Sequence, residues 1–294
     1  MINQFIRRMV IMSSLKRELG DDLVKKLDAE ELFQSKLKPD IEKGKVFFAI
    51  RHKKASFYAE GRSLFSFEHK GFSTHEKFAF IPNGIKEGSS IYENQLDSLL
   101  PVKSFCSGYK RIKDRALQYA DCEAIGVSAL YKCASYEGNK DKRYYLVDIE
   151  VVFSDENRKR SKIDVLLYDN HKCQLLFCEV KHCEDSRMSA KVDEIPEVVK
   201  QLEKYNEHIA TKEDMIVKAY KTAFKEYNIL MGTTLNPPQS VYPKCGLYVF
   251  GFNAQQIKEF NNKIGKKKSF YGHRCKAIGG TSNDSAETIY KALT

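Results

Sequence analysis

The feature that most constrains this chain is a pair of apolar runs, residues 161–168 (SKIDVLLY) and 173–181 (CQLLFCEVK), separated by Asp169-Asn170-His171-Lys172. Runs of this length bounded by turn-forming residues read as a β-hairpin. Residues 144–153 (YYLVDIEVVF) supply a third strand just upstream. With the turn centred on Asn170-His171, Tyr168 opposes Cys173 and Asp164 opposes Phe177. Cross-strand partners share a face and side chains alternate with period two, so Glu179 and Lys181 lie on the face of Asp164. A slip of one residue would separate them.

This register sets two carboxylates and an ammonium at one end of an otherwise apolar sheet. Charge is costly there unless it is paired or metal-bound. Neighbouring Asp and Glu side chains also repel unless a cation stands between them. Mg²⁺ suits the arrangement, because it takes hard oxygen ligands and often one or two carboxylates. A salt bridge of Lys181 with one of the acids at a sheet edge accounts for the same residues without a metal.

Around this hairpin the pattern is mixed α/β, an α+β arrangement with a mixed sheet flanked by helices. Residues 1 to 40 read as helices, with Phe5, Met9 and Met12 on one partial face and Leu23, Leu27 and Leu32 on another. Residues 46–51, 55–60, 63–68 and 77–81 are short aromatic-rich runs that read as an antiparallel meander, closed by Pro82-Asn83-Gly84. Downstream, the pattern predicts a helix over 109–122, the three strands, helices over 195–209 and 214–229, a strand over 245–252 and a helix over 254–264. The expected organisation is an N-terminal helical and β-meander domain, residues 1–105, followed by a second domain, residues 106–294, with a helical insertion at about 210–240.

Asp164, with Glu179-Val180-Lys181 fifteen positions later on the next apolar strand, resembles the signature of the PD-(D/E)XK nucleases. The order of helix, three strands, helix and further strand is similar to that superfamily's core, over roughly residues 109–252. Glu150 stands in the preceding strand, where many relatives carry an acid, and a loop over residues 154–160 pairs it directly with Asp164. Gln201, in VVKQLEKY, resembles the glutamine that some branches use near the active site. Ile163 replaces the proline of the family's name, at a position that varies widely among relatives. The upstream helix of relatives often adds one more acid, for which Asp121 and Glu123 are candidates.

The resemblance implies a Mg²⁺-dependent nuclease, with Mn²⁺ as a substitute metal, that hydrolyses phosphodiester bonds and leaves a 5′-phosphate. A DNA endonuclease in restriction or anti-phage defence is the expected form. The metal would be held by Asp164, Glu179 and the carbonyl of Val180, with Glu150 nearby, and Lys181 would position or activate the attacking water. The rival is a nuclease fold that binds nucleic acid or docks a partner without cutting.

Charge agrees with a polyanionic partner. Lys and Arg outnumber Asp and Glu by 49 to 39, for a net charge of +10. Three basic clusters are candidate phosphate contacts: Arg158-Lys159-Arg160 with Lys162; Lys110, Arg111, Lys113 and Arg115 on the upstream helix; and Lys266-Lys267-Lys268 ahead of Phe270 and Tyr271. The aromatic strands at 46–81 read as a small β-core. A base-stacking platform is their second reading, because Arg51, Lys53, Lys54 and Arg62 decorate the turns. The eight cysteines include no CxxC pair, so neither zinc nor an iron–sulfur cluster is expected. No apolar run reaches the roughly 18–20 residues of a membrane span. The expected setting is cytoplasmic, with a homodimer or partner protein left open.

Overall fold

The computed structural model describes residues 15–79, 90–96, 102–119, 122–135, 142–154, 160–188, 194–258, 277–279 and 284–294. The chain is a mixed α/β protein with two sheets. The expected helix bearing Phe5, Met9 and Met12 lies outside the described residues, as does Pro82-Asn83-Gly84.

The N-terminal part opens with α1 (Asp21–Asp28), which buries Leu23, Val24 and Leu27. Asp21 and Asp22 in its first turn and Lys25 and Lys26 in its last complement the helix dipole. A short helical stretch ending in α2 (Lys38–Glu42) leads into an antiparallel sheet of β1 (Phe47–Arg51), β2 (Lys54–Ala59), β3 (Arg62–Glu68), β4 (Gly71–His75) and β5 (Ser90–Tyr92), paired in chain order. The first three strands are the ones expected. The fourth comes earlier than the expected 77–81, of which residues 80 and 81 lie outside the described residues: the chain turns back immediately at Gly71, whose φ of +97° suits glycine, and Phe72 pairs with Phe67. Residues 76–79 form a turn instead.

After α3 (Phe105–Leu117) and α4 (Cys122–Ala129) comes the second sheet, in the order β11-β10-β8-β7-β6. Its strands are β6 (Tyr144–Ser154), β7 (Arg160–Asp169), β8 (Gln174–His182), β10 (Gly246–Phe250) and β11 (Ala277–Gly279), with the short β9 (Ser240–Val241) paired to the start of β8. β6, β7 and β8 are antiparallel neighbours, whereas β10 runs parallel to β8 and β11 parallel to β10. The helix expected over 109–122 is thus two, α3 starting at Phe105 with Ser104 as its cap and α4 following separately.

The 195–229 region also differs from expectation. It is a single helix, α5 (Glu197–Met231), 35 residues long and ended by Gly232 in the left-handed conformation. Residues 210–231 belong to this rod rather than to a separate insertion. α5 covers one face of the sheet, where Val198, Leu202, Tyr205 and Tyr220 join Leu166, Tyr168, Phe177 and Leu247 in the main apolar cluster. The other face is covered by α4 and α6 (Ala286–Leu293), with Val127, Ile289, Tyr290 and Leu293 packed on Val165, Leu167 and Tyr248.

The two sheets share these clusters. Phe48 of β1 stacks on Tyr227 of α5 with ring centroids 5.4 Å apart, and belongs to the same cluster as Phe177. A charged network fixes the junction. Asp148 of β6, 2% exposed, accepts hydrogen bonds from Arg17 Nε (2.8 Å), from Arg51 Nη1 and from the Tyr220 hydroxyl (2.5 Å). Arg51 also donates to the Ile149 carbonyl at 2.6 Å. The two guanidiniums offset the cost of burial and hold the Asp148 carboxyl below its ordinary range. Among the described residues, no helix is long and apolar enough to cross a membrane.

Candidate active site

β7 and β8 carry the charged residues. The observed register pairs Tyr168 with Leu175 and Val165 with Cys178, two residues removed from a turn centred on Asn170-His171. The turn is longer at its C-terminal end, where Cys173 adopts a φ of +53°. A shift of two keeps the faces unchanged, so Asp164, Glu179 and Lys181 still share one side of the sheet. It also puts Asp164 beside Glu179, one step beyond the Val165–Cys178 pair, rather than beside Phe177.

Asp164 Oδ2 accepts a hydrogen bond from the Val180 amide at 2.9 Å. Lys181 Nζ lies 2.6 Å from Glu179 Oε1, 3.0 Å from the Val180 carbonyl oxygen and 3.4 Å from Asp164 Oδ2. The ammonium therefore touches all three oxygens that sequence reasoning assigned to a cation. Glu179 and Lys181 are each 1% exposed. From α5, Gln201 Nε2 donates to Glu179 Oε1 at 2.8 Å and to the Tyr205 hydroxyl, which in turn donates to the Lys162 carbonyl at 2.5 Å. Burial and the nearby Glu179 push the Tyr205 hydroxyl well above its ordinary range, so it stays a neutral donor. Gln201 and Tyr205 are one helical turn apart on one face, a spacing that would have marked Tyr205 from sequence.

Glu179 Oε2 is buried and accepts from no N–H or O–H donor, and the Glu179 carboxyl lies against that of Asp164. An unpaired acceptor in so polar a position is costly unless the proton or a cation satisfies it. Burial first, and then the Asp164 carboxylate, push Glu179 from its ordinary 4.5 up to about 8, against the pull of Lys181. The folded protein thus holds this proton more tightly than the unfolded chain. The corresponding stability is fully present below about pH 4.5 and is lost as the pH rises through about 8. The metal-free protein should therefore melt at progressively lower temperature from about pH 5 to about pH 8, and Glu179→Gln should flatten that fall. Melting curves in EDTA across this range test it; equal slopes for both proteins would place the titration elsewhere.

Glu150 lies opposite Asp164, between the pairs Val151–Ile163 and Ile149–Val165. Its φ of +50° is left-handed, and its carboxylate bonds Lys162 Nζ at 2.8 Å in an exposed pair at the rim. A cavity of about 600 Å³ joins these groups, lined by Glu150, Lys162, Asp164, Glu179, Lys181 and Gln201. Arg187 and Lys204 line it as well, two cations that sequence reasoning did not single out. Lys110 and Arg111 sit apart, exposed on α3 beside a separate surface groove shared with Lys103 and Arg115. Arg158, Lys159, Lys266, Lys267, Lys268 and Asp121 lie outside the described residues. Arg160 begins β7 and Glu123 falls in α4.

The donor set fits a hard divalent cation: two adjacent carboxylates, one with an unpartnered buried oxygen, a backbone carbonyl, and an ammonium already drawn to the same three oxygens. Among the described residues, no group of three or more His, Cys, Asp or Glu side chains is placed to hold a metal ion, so the third protein oxygen of such a site would be that of Val180. No family model, curated protein or solved structure matches this chain.

Proposed function

We propose that this chain is a divalent-metal-dependent nuclease of the PD-(D/E)XK type, most simply an endonuclease acting on DNA. The observation that carries the reading is the convergence of Asp164, Glu179 and Lys181 on the floor of one polar cavity, with the Glu179 Oε2 acceptor unpartnered. An isolated ion pair explains Lys181 but not why a second carboxylate, Asp164, is held against Glu179 in the same cavity.

Asp164, Glu179 and the Val180 carbonyl would hold Mg²⁺, with Mn²⁺ as a substitute. When bound, the cation supplies positive charge that polarises the phosphoryl group. The remaining work falls to the chain. Gln201 holds Glu179 in place, itself held by Tyr205. Lys181, at the same floor, is placed to orient the attacking water or to neutralise charge growing on the phosphate. Lys162, Arg187 and Lys204 line the walls as phosphate contacts.

Circular DNA provides the test, because only an internal cut opens a circle. At least one of two substrates, single-stranded circles or supercoiled plasmid, should be opened in Mg²⁺ and remain closed in EDTA. Closed circles of both kinds in Mg²⁺, with the protein folded, would sink the proposal.

A further inference from the structure

The N-terminal sheet supplies part of the same cavity. β2 and β3 are joined by the two-residue turn Glu60-Gly61, with φ of +49° and +73°. Left-handed dihedrals at both central positions belong to the hairpin turn whose twist matches that of its strands. A register shift between Phe57 and Tyr58 adds a local bend. The bent tip brings Tyr58, Gly61 and Arg62 to the cavity that Asp164, Glu179 and Lys181 floor. Its position is fixed from both sides. Tyr58 packs in the apolar cluster of Tyr131 and Ile149, and Arg51 on the adjoining strand is ion-paired to Asp148, two residues from Glu150.

The size and depth of the cavity limit what can enter. A volume of about 600 Å³ lies within the ~300–1,000 Å³ of pockets that hold one small molecule, room for part of one strand rather than for a duplex. Glu179 and Lys181 are each 1% exposed, so a duplex lying across the rim would leave its phosphates short of them. A single strand can enter. Tyr58 and Tyr131 are buried and only shape the wall, whereas Arg62, Lys162 and Lys204 line the cavity as cations that can track the phosphates of one strand.

We propose that the β2–β3 hairpin is the outer wall of a channel for one nucleic-acid strand, and that Arg62 grips a backbone phosphate next to the one to be cut. The inference rests on the hydrolytic reading above. The planar fork of arginine suits a phosphate held in one orientation.

Binding of a short labelled single strand, and of a duplex of the same sequence, to the full chain in EDTA separates the two ideas, because nothing is cut. The single strand should bind more tightly than the duplex. Arg62→Gln should weaken single-strand binding about ten-fold or more, and should lower the slope of log affinity against log salt by about 0.7, one released counterion. Arg62→Lys should restore the slope while recovering only part of the affinity. Weaker binding with an unchanged slope would mean disturbed packing and would overturn the role of Arg62. Tighter binding of the duplex would overturn the channel. Opening of circular DNA by a protein whose Arg62→Gln form binds normally would overturn only this inference; binding of neither strand, with circles left closed, would overturn the hydrolytic reading with it.

Discussion

Replacing Lys181 with alanine is expected to slow Mg²⁺-dependent cleavage by about 100- to 10,000-fold without weakening the protein's hold on a divalent cation. The two effects separate because of where the ammonium sits. Lys181 Nζ touches Glu179 Oε1, Asp164 Oδ2 and the Val180 carbonyl, the same oxygens a cation needs. It competes for them rather than completing the site. Its removal leaves two carboxylates whose mutual repulsion a divalent ion relieves, so Mn²⁺ affinity by calorimetry should be equal or higher. Asp164→Ala should lose both binding and cleavage. A Lys181→Ala protein that cuts at the normal rate would remove the chemical role assigned here. One that loses the metal would make Lys181 a structural support.

The largest stability effect is expected outside the cavity floor, at the junction of the two sheets. Asp148→Ala should destabilise the protein by about 3–5 kcal/mol, read from the midpoint of chemical denaturation. Asp148 is the shared acceptor of Arg17, Arg51 and Tyr220, and the two arginine side chains are 8% and 17% exposed. Truncation would leave both guanidiniums buried without a counter-charge. The loss should shrink when Arg51 is replaced by Met in the same protein, because one unpaired charge then disappears. A change below about 1 kcal/mol would mean that water reaches both arginines and that the network contributes little.

The sheet and its charged face were legible because they depend on parity. The turn was misplaced by two residues, yet Asp164, Glu179 and Lys181 stayed on one side, since only an odd slip exchanges the faces. The length of α5 was legible too and was missed: no Gly or Pro occurs between Glu197 and Met231, so the polar stretch near Lys212 and Glu213 was not a break. The Asp148 network was not readable. Asp148 sits in the same apolar run as Glu150, and its partner Arg17 lies 131 residues away, a contact that only tertiary packing defines. The same holds for Arg62. Its charge was visible at a hairpin turn, but that this hairpin closes over the acidic floor follows from how the two sheets meet. Glu150 was placed correctly opposite Asp164, while its left-handed backbone and its bond to Lys162 could not be read from residue types.

α5 contacts Glu179 through Gln201, Asp148 through Tyr220, and the Leu19 and Gly20 amides through Glu226. On a helix each residue adds about 100° of rotation. The 25 residues from Gln201 to Glu226 therefore return to nearly the same azimuth, about 20° short of whole turns. Sequence can drift along the solvent-facing side of this rod, but its residue count cannot. One residue gained or lost between those positions would swing one end a quarter-turn out of phase with the other, and an inserted whole turn would shift it by about 5.4 Å. Length along α5 is thus a fixed quantity in this protein, set at one end by the acidic floor and at the other by the Leu19–Gly20 amides.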